Sequence, residues 1–359
     1  MKVVQILPTL SFGDAVGNDT IALKKVIEEL GYETAIYAEN IDKHLPKGIA
    51  TSVDKIPELK DDDIIIYHKS TGTDISFRLE QYHGRRIMIY HNITPPEFFS
   101  QYNAGSEALT RYGYEGLSYL KDKVDYCLAD SNYNKNDLIK MGYTCPIEVL
   151  PILIPFEDYK QVPDTKIIKK YKEDEYTNII FVGRIAPNKK QENVIRAFYQ
   201  YKKINPKSRL ILVGSYSGME NYYERLVEYT KKLELEDVIF TGHIKFNEIL
   251  AYYQIADVFL CMSEHEGFCV PLVEAMFFDV PIIAYNTSAI GDTLGGSGIL
   301  VDNNDPLEIA MLMDKVLANK EMCENIVEGQ RKRLKNFEYE KISTMFVSCL
   351  NNFIQNGDV

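Results

Sequence analysis

The chain has 359 residues, of which 45% are apolar and 26% are charged, so we expect a folded protein with two domains rather than a disordered one. Its formal net charge is −12, which excludes the basic surplus typical of proteins that bind nucleic acids. We therefore expect no nucleic-acid partner. An anionic ligand must then be held by a few well-placed cations or by helix N-termini.

The N-terminus and the cysteines indicate a cellular compartment. The opening Met-Lys-Val-Val-Gln-Ile-Leu-Pro is too short an apolar stretch for a signal peptide, and the chain has no apolar run of roughly 18 residues. We expect a cytoplasmic protein, and peripheral contact with the inner face of the membrane stays open. The six cysteines include no C-x-x-C pair, which favours buried free thiols in a reducing compartment.

Short β-rich runs alternate with helical patterns through the first half of the chain. This alternation predicts a parallel sheet covered by helices on both faces. One helix is predicted over 19–30, ending at Gly31, and a terminal helix over about 342–354. The predicted strands are Val3–Leu7, Thr34–Ala38, Ile64–Tyr67, Ile87–Tyr90, Tyr126–Ala129 and Ile147–Leu150.

A second α/β half follows a polar stretch. We predict a first domain over 1–155, a linker over 156–175 and a second domain over 176–337. The predicted strands of the second domain are Ile179–Val182, Leu210–Val213, Val238–Phe240, Val258–Met262, Pro281–Tyr285 and Ile299–Val301. Ligands of open parallel sheets bind beyond the carboxyl ends of the strands, so residues that directly follow strands are candidate site residues.

The loop after the first strand of the second half carries two cations. Gly183 permits a tight turn there, and Arg184 and Lys189 follow it. A guanidinium can bind phosphate oxygens in a bidentate manner, and an ammonium adds a point charge. On spacing alone, two solvated surface cations are an equally good interpretation.

The second candidate is Glu266-Gly-Phe-Cys-Val-Pro-Leu-Val-Glu274, which follows a buried strand. Gly267 permits close approach of the backbone, and Pro271 suits the first turn of a helix. The N–H groups around residues 268–272 would then form an anion site. The two carboxylates suit sugar hydroxyls, although a loop acid and a dipole-favoured helix acid are the plain alternative.

The first half offers weaker candidates. The loop that contains Gly13 lacks the G-x-G-x-x-G spacing but opens a helix. His68 and His91 each end a strand, where a structural histidine is commoner than a functional one. The tyrosine-rich stretch 102–119 fits either a sugar-stacking surface or ordinary amphipathic packing.

These motifs together resemble the retaining GT-B glycosyltransferases of family GT4. Gly183-Arg-Ile-Ala-Pro-Asn-Lys189 resembles the family's G-R-x4-K motif, and the segment from Glu266 to Glu274, followed by Ala-Met, resembles its E-G-F-G-x-P-x-x-E-A-M motif. Three first-half segments resemble a bacterial subgroup linked to surface-polysaccharide and cell-wall assembly: Gly13-Asp-Ala-Val-Gly-Asn, His91-Asn-Ile-Thr-Pro-Pro-Glu-Phe-Phe and Asp130-Ser-Asn.

The resemblance implies a fold and a reaction. It implies two Rossmann-like, doubly wound domains facing each other across a cleft, with a C-terminal helix over about 338–359 crossing back onto the first, acceptor-side domain. A hexosyltransferase would move sugar from a nucleotide-diphosphate-sugar to a glycan or lipid-linked saccharide, with retention and without a metal or other cofactor. The alternatives are another GT-B enzyme, such as an epimerase or phosphorylase, and a non-catalytic sugar-nucleotide-binding subunit. Oligomeric state stays unassigned.

The resemblance also implies residue roles. Arg184 and Lys189 would bind the donor diphosphate, Glu266 the donor sugar, Glu274 the ribose, and His91 the sugar near the reacting centre. The remaining donor-binding candidates are Gly13, Asp14, Gly183, Gly242, Ile244, Ser263, Gly267, Phe268, Cys269 and Val270. Lys190 and Cys269 stand where many family members have glycine, so we expect that the second loop could differ in shape.

Overall fold

The structure is a computed structural model, and it describes residues 1–11 and 13–355. Thirteen strands lie in this part of the chain, and every strand predicted from the sequence is among them. Their bounds are β1 Lys2–Leu10, β2 Glu33–Ile41, β3 Thr51–Ser52, β4 Ile64–Lys69, β5 Arg85–Tyr90, β6 Tyr126–Ala129, β7 Ile147–Val149, β8 Thr177–Val182, β9 Ser208–Val213, β10 Val238–Phe240, β11 Val258–Cys261, β12 Ile282–Tyr285 and β13 Ile299–Val301. The two-residue β3 is too short to give a sequence pattern.

The helices fill the connections between strands. Their bounds are α1 Ala15–Glu29, α2 Ile75–Arg78, α3 Ala104–Leu120, α4 Asn132–Lys140, α5 Thr165–Lys172, α6 Gln191–Ile204, α7 Glu220–Lys232, α8 Phe246–Ile255, α9 Val270–Phe277, α10 Ile290–Leu294, α11 Pro306–Ala318, α12 Lys320–Leu334 and α13 Tyr339–Gln355. In the described residues, no helix combines the length and the apolar character needed to cross a bilayer.

All strands in each sheet are parallel, and the chain forms two compact units. Unit 1 holds a seven-stranded sheet in the order β3-β2-β1-β4-β5-β6-β7. Unit 2 holds a six-stranded sheet in the order β10-β9-β8-β11-β12-β13. Each order reverses once, between β1 and β4 and between β8 and β11. A crevice opens at such a reversal in doubly wound sheets, and ligands bind there.

The helix α1 begins one turn earlier than its apolar pattern predicts. The Asp14 carboxylate accepts a hydrogen bond from the Gly17 N–H at 3.1 Å, so Asp14 is the N-cap. The helix ends before Gly31, which has φ +81°, as expected from a glycine in that place.

Both faces of the first sheet are covered. Residues that alternate along β1 and β4 pack into two separate apolar clusters, because successive side chains of a strand point to opposite faces. One cluster contains α1 together with α13, whose Ile342, Phe346, Cys349, Leu350 and Phe353 are buried in it. The terminal helix therefore belongs to the core of unit 1, and unit 1 resumes at Asn336.

Apart from the two-residue shift at Asn336, the unit boundaries differ from the predicted ones at two places. Glu97–Ala104 belongs to unit 2, although it lies within the predicted first domain. Asn103 Nδ2 donates to the Gly218 carbonyl at 2.6 Å, and Asn221 Nδ2 donates to the Tyr102 carbonyl at 3.0 Å. Most of the predicted linker also lies in unit 2, because α5 packs against α8.

Candidate active site

The unit 2 site begins where β8 ends. Gly183 has φ +148°, and a Cβ on Gly214, which follows β9 with φ +149°, would lie only 2.1 Å from the Gly183 carbonyl oxygen. Glycine is needed at Gly214 because the two loop backbones touch there. Arg184 follows this contact, is exposed, and donates through Nη2 to the Ser217 carbonyl at 3.0 Å.

Lys189 lies opposite Glu266, on the loop that follows the neighbouring strand β11. Lys189 Nζ and Glu266 Oε2 are 2.5 Å apart, and the two side chains are 21% and 6% exposed. Burial by itself is the largest effect and would lower the pKa of Lys189. The charge and hydrogen bond of Glu266, together with Cys269 and Cys261, outweigh burial in sum, so the pKa is raised. The two loops are joined by Asn188, whose Nδ2 donates to the His265 carbonyl at 3.0 Å.

The second oxygen of the Glu266 carboxylate is unsatisfied. Its Oε1 is buried and has no hydrogen-bond partner in the described residues. A buried acceptor without a donor costs on the order of 1–3 kcal/mol, and more when it is charged. A ligand hydroxyl or a cation placed beside Oε1 would remove that cost.

Two residues at the site have left-handed backbone. Lys190 has φ +49° and Cys269 has φ +73°, and both stand where the resembling family often has glycine. Non-glycine residues hold this conformation at a cost of roughly 1–3 kcal/mol. These positions thus keep a backbone that suits glycine, and Cys269 forms the N-cap of α9 without a side-chain capping bond.

Glu274 lies inside α9 and is bound by two tyrosines. The Tyr159 hydroxyl donates to Oε1 at 2.7 Å, and the Tyr253 hydroxyl donates to Oε2 at 2.6 Å. Burial raises the pKa of Glu274, and the two hydroxyls partly offset this effect. A carboxylate oxygen has a second lone pair, and Glu274 is only partly buried, so a ribose diol can still be accepted.

The other candidates of unit 2 line the same strand ends. Ser263 is fully buried and is held by the Thr287 hydroxyl, which donates to its carbonyl at 2.8 Å. Its hydroxyl accepts a hydrogen bond from Cys261 Sγ at 3.4 Å, so Ser263 supports the loop from the buried side. Gly242 has φ +67° and forms a bridge with Gly214, which brings the loop of Gly242 and Ile244 beside the β9 end.

The loop that leads into α9 is largely buried and not exposed to solvent. Phe268 and Cys269 are 4% and 8% exposed, and the Phe268 carbonyl accepts a hydrogen bond from Thr293. Gly267 and Val270 flank them, and both residues are partly buried. The N-terminus of α9 therefore lies in a packed setting beside the Lys189–Glu266 pair, which strengthens its dipole field.

Unit 1 holds a buried polar chain at its own sheet reversal. His91 Nδ1 lies 3.0 Å from Asp130 Oδ2, His91 Nε2 lies 2.9 Å from His68 Nδ1, and His68 Nε2 lies 2.9 Å from Gln5 Oε1. Asp19, from α1, accepts from the Leu153 N–H at 2.8 Å beside them.

This chain of hydrogen bonds limits how the His91 ring can contact a ligand. Its side chain is 1% exposed and both ring nitrogens are hydrogen-bonded, whereas the whole residue is 9% exposed. A ligand can therefore reach its main chain, and a direct contact from the ring nitrogens requires one internal bond to break. Gly13, with φ +73°, is exposed and has open space around it, and Asp14 is engaged as the α1 cap.

Sequence reasoning did not single out Tyr159, Tyr253, Gln5, Asp19 or Cys261. Gln5 could have been found as the polar residue within the apolar strand predicted over Val3–Leu7, whereas Asp19 lies on α1 and carries no comparable signal. No local signal identifies Tyr159, since it lies in the predicted linker and reaches Glu274 from 115 positions away.

This chain is similar to known glycosyltransferases. Residues 163–333 match the family described as glycosyl transferases group 1. The capsular polysaccharide biosynthesis glycosyltransferase CapM of Staphylococcus aureus is 26% identical over 57% of this chain and 54% of its own length. The O-antigen chain mannosyltransferase B of Escherichia coli is 23% identical over 81% of this chain and 75% of its own length. The chain spans about half the length of several curated relatives that it matches.

Solved structures share the fold over nearly the whole chain. Sucrose-phosphate synthase from Thermosynechococcus elongatus has a TM-score of 0.77 at 15% identity, covering 99% of this chain and 100% of that one. Anabaena HepE in complex with UDP-glucose has a TM-score of 0.74 at 18% identity, covering 98% and 100%. The chain therefore has the GT-B fold, and its residues 163–333 are similar to the family of glycosyl transferases group 1.

Proposed function

We propose that this protein is a hexosyltransferase that moves a sugar from a nucleotide-diphosphate-sugar to a glycan or a lipid-linked saccharide. The observation that carries the proposal is the Lys189–Glu266 pair at the reversal of the second sheet, with Arg184 on the same loop as Lys189. The names of the relatives support a role in surface-polysaccharide assembly.

The charges of the site suit cleavage of a sugar–phosphate bond. Negative charge develops on the leaving diphosphate, and Lys189, Arg184 and the N-terminus of α9 would stabilise it there. Because these groups supply the positive charge, we propose that no metal is required. Glu266 Oε1, which lacks a partner, would accept a hydrogen bond from a donor-sugar hydroxyl.

The other site residues would hold the donor. Glu274 would accept from the ribose hydroxyls while Tyr159 and Tyr253 fix its orientation. His91 would contact the sugar through its reachable main chain. Retention of the anomeric configuration is also proposed, with the leaving phosphate accepting the proton of the acceptor hydroxyl on the same face.

The test is a donor screen in EDTA. We expect one of the UDP-, GDP-, dTDP- or ADP-sugars to raise the Tm by mass action and to release nucleoside diphosphate when a glycan acceptor is added. NMR of the product would report the anomeric configuration. An inverted product would reject retention, and a strict need for Mg²⁺ or Mn²⁺ would reject the metal-free mechanism. Donor binding without turnover would instead favour a non-catalytic subunit.

A further inference from the structure

Two cysteines and one carboxylate meet beside the Lys189–Glu266 pair. Cys261 ends β11, and Cys269 caps α9. The two Sγ atoms and one carboxylate oxygen of Glu266 all lie within 4.8 Å of one another, and all three residues are buried. Nothing in the proposed transfer reaction uses the thiol of Cys261.

The donor set suits a soft divalent cation. Thiolates and carboxylates are ordinary zinc ligands, and ligands about 2.3 Å from a tetrahedral zinc lie about 3.8 Å from each other. Atoms that already lie within 4.8 Å need only a small inward shift to reach that spacing. Three protein ligands would leave one position for water.

A second observation at the same place is independent of the thiols. Glu266 is 6% exposed, and its Oε1 has no hydrogen-bond partner in the described residues, although Oε2 is bound by Lys189. A buried carboxylate oxygen without a donor is energetically costly, so a cation or a hydrogen-bond donor bound at this oxygen would be stabilising.

The charges balance when a divalent cation is bound. Two thiolates and the Glu266 carboxylate contribute three negative charges, and Lys189 contributes one positive charge. A divalent cation brings the sum to zero, which matters in a buried site because an uncompensated charge is poorly solvated there. Each thiol releases its proton to solvent as the metal–sulfur bond forms.

We infer that Cys261, Glu266 and Cys269 form a binding site for a soft divalent cation of the Zn²⁺ type. The consequence rests on the proposed function: a bound cation occupies Glu266, so Zn²⁺ and the sugar nucleotide compete. The site is thus inhibitory, and it exists because a cysteine stands at position 269.

Co²⁺ is the probe for the test, with the full-length reduced protein and no donor present. Two thiolate ligands give an intense near-ultraviolet charge-transfer band, and Zn²⁺ should remove it by displacement. The band should be lost in Cys269→Gly and in Cys261→Ser. Glu266→Gln should weaken binding at least about tenfold, since loss of even outer-shell partners costs about 10–100-fold. Circular dichroism of each variant checks folding.

Cys127 and Cys145 provide the matched control. Their Sγ atoms lie 3.5 Å apart in unit 1, and the described residues place no third ligand with them. Cys145→Ser should keep the band. Absence of the band in the wild type, or its loss in Cys145→Ser alone, would overturn the site.

Competition is measured separately by donor binding with and without Zn²⁺. A Zn²⁺-dependent loss of donor affinity that disappears in Cys261→Ser supports the inhibitory role, and unchanged donor affinity at saturating Zn²⁺ overturns it. If the Co²⁺ band is present but no sugar nucleotide binds, the metal site stands and the proposed function fails.

Discussion

His91 Nε2 lies 2.9 Å from His68 Nδ1, and the two imidazole rings are within 5° of parallel. The pair lies at the carboxyl ends of β4 and β5. On the sheet face that packs against α1, these two histidines follow the apolar residues of the two strands. Gln5 and Asp130 extend the same hydrogen-bonded chain in both directions. The protonation states in this chain can be assigned from its donors and acceptors.

The assignment starts from Gln5. Its Nε2 donates to the Thr20 carbonyl at 3.0 Å, so its Oε1 accepts from His68 Nε2. Neutral His68 then accepts at Nδ1 from His91 Nε2–H, and His91 shares its other proton with Asp130. Burial, and then the charge of His91, hold the pKa of His68 well below its usual value, whereas Asp130 contributes to a raised pKa of His91 despite burial.

We predict that His68 stays in the neutral Nε2–H form through the neutral pH range. Nitrogen-15 NMR of the imidazoles should show one pyrrole-like Nε2 and one pyridine-like Nδ1 for His68, with no change between roughly pH 6 and 8. Gln5→Leu removes the acceptor and should shift the His68 signals. A His68 ring that titrates in this range, or carries its proton on Nδ1, would contradict the assignment.

Asp19 gives a prediction on stability and pH. Burial raises its pKa to about 7, so between the unfolded value near 4 and pH 7 the folded state holds a proton that the unfolded state has released. Stability should therefore fall as pH rises through this window, by up to ~1.4 kcal/mol per pH unit, and level off above it.

Asp19→Asn tests this prediction. An amide oxygen can still accept from the Leu153 N–H, while the titrating group is gone. Denaturant unfolding at several pH values between 4 and 8 should show a shallower pH slope in Asp19→Asn than in the wild type. Asp62→Asn, a change at an exposed carboxylate, is the control and should leave the slope unchanged. Equal slopes in wild type and Asp19→Asn would refute the raised pKa.

The Lys189–Glu266 pair gives a prediction on stability and activity together. Lys189→Ala should destabilise the protein by about 2–3 kcal/mol, somewhat less than a fully buried pair, because Lys189 remains 21% exposed. The double variant Lys189→Ala/Glu266→Ala should be less destabilised than the sum of the single variants, since no unpaired charge is left. Donor turnover should fall about 10²–10³-fold in either single variant.

A neighbouring ion pair supplies the control for this double-mutant cycle of Lys189 and Glu266. Lys190 Nζ and Glu264 Oε2 are 3.2 Å apart, with side chains 26% and 33% exposed. Its coupling energy should stay below about 1 kcal/mol, and turnover should persist in Lys190→Ala. Comparable coupling in the two cycles would mean that burial of Glu266 has no special role.

Glu274 gives a prediction that separates support from ligand contact. Tyr253→Phe and Tyr159→Phe should each cost about 0.5–1.5 kcal/mol of unfolding free energy, because each removes a hydrogen bond to the carboxylate. Glu274→Ala should also weaken donor binding, measured by calorimetry, because the proposed ribose acceptor is lost. Glu308→Ala, a change in the first turn of α11, is the control. Unchanged donor affinity in Glu274→Ala would remove Glu274 from the binding site.

The elements and the second-domain motifs could be predicted because their signals are local. Every predicted strand is present, since apolar runs bounded by glycine and polar residues are read within a few positions. The strand-edge rule also placed Lys189 and Glu266 on one edge. Their pairing depends on β8 and β11 being neighbours in the sheet, and strand order is not a local property.

The sequence by itself determined two parallel α/β sheets, the two cationic and acidic loops of the second half, and a terminal helix. Only the tertiary structure decided that Glu97–Ala104 belongs to unit 2, that both nitrogens of His91 are internally bonded, and that Tyr159 binds Glu274. It also brought Cys261 to Cys269. These relationships join side chains through packing and shared burial, whereas helix and strand patterns arise from the periodicity of neighbouring residues along the chain.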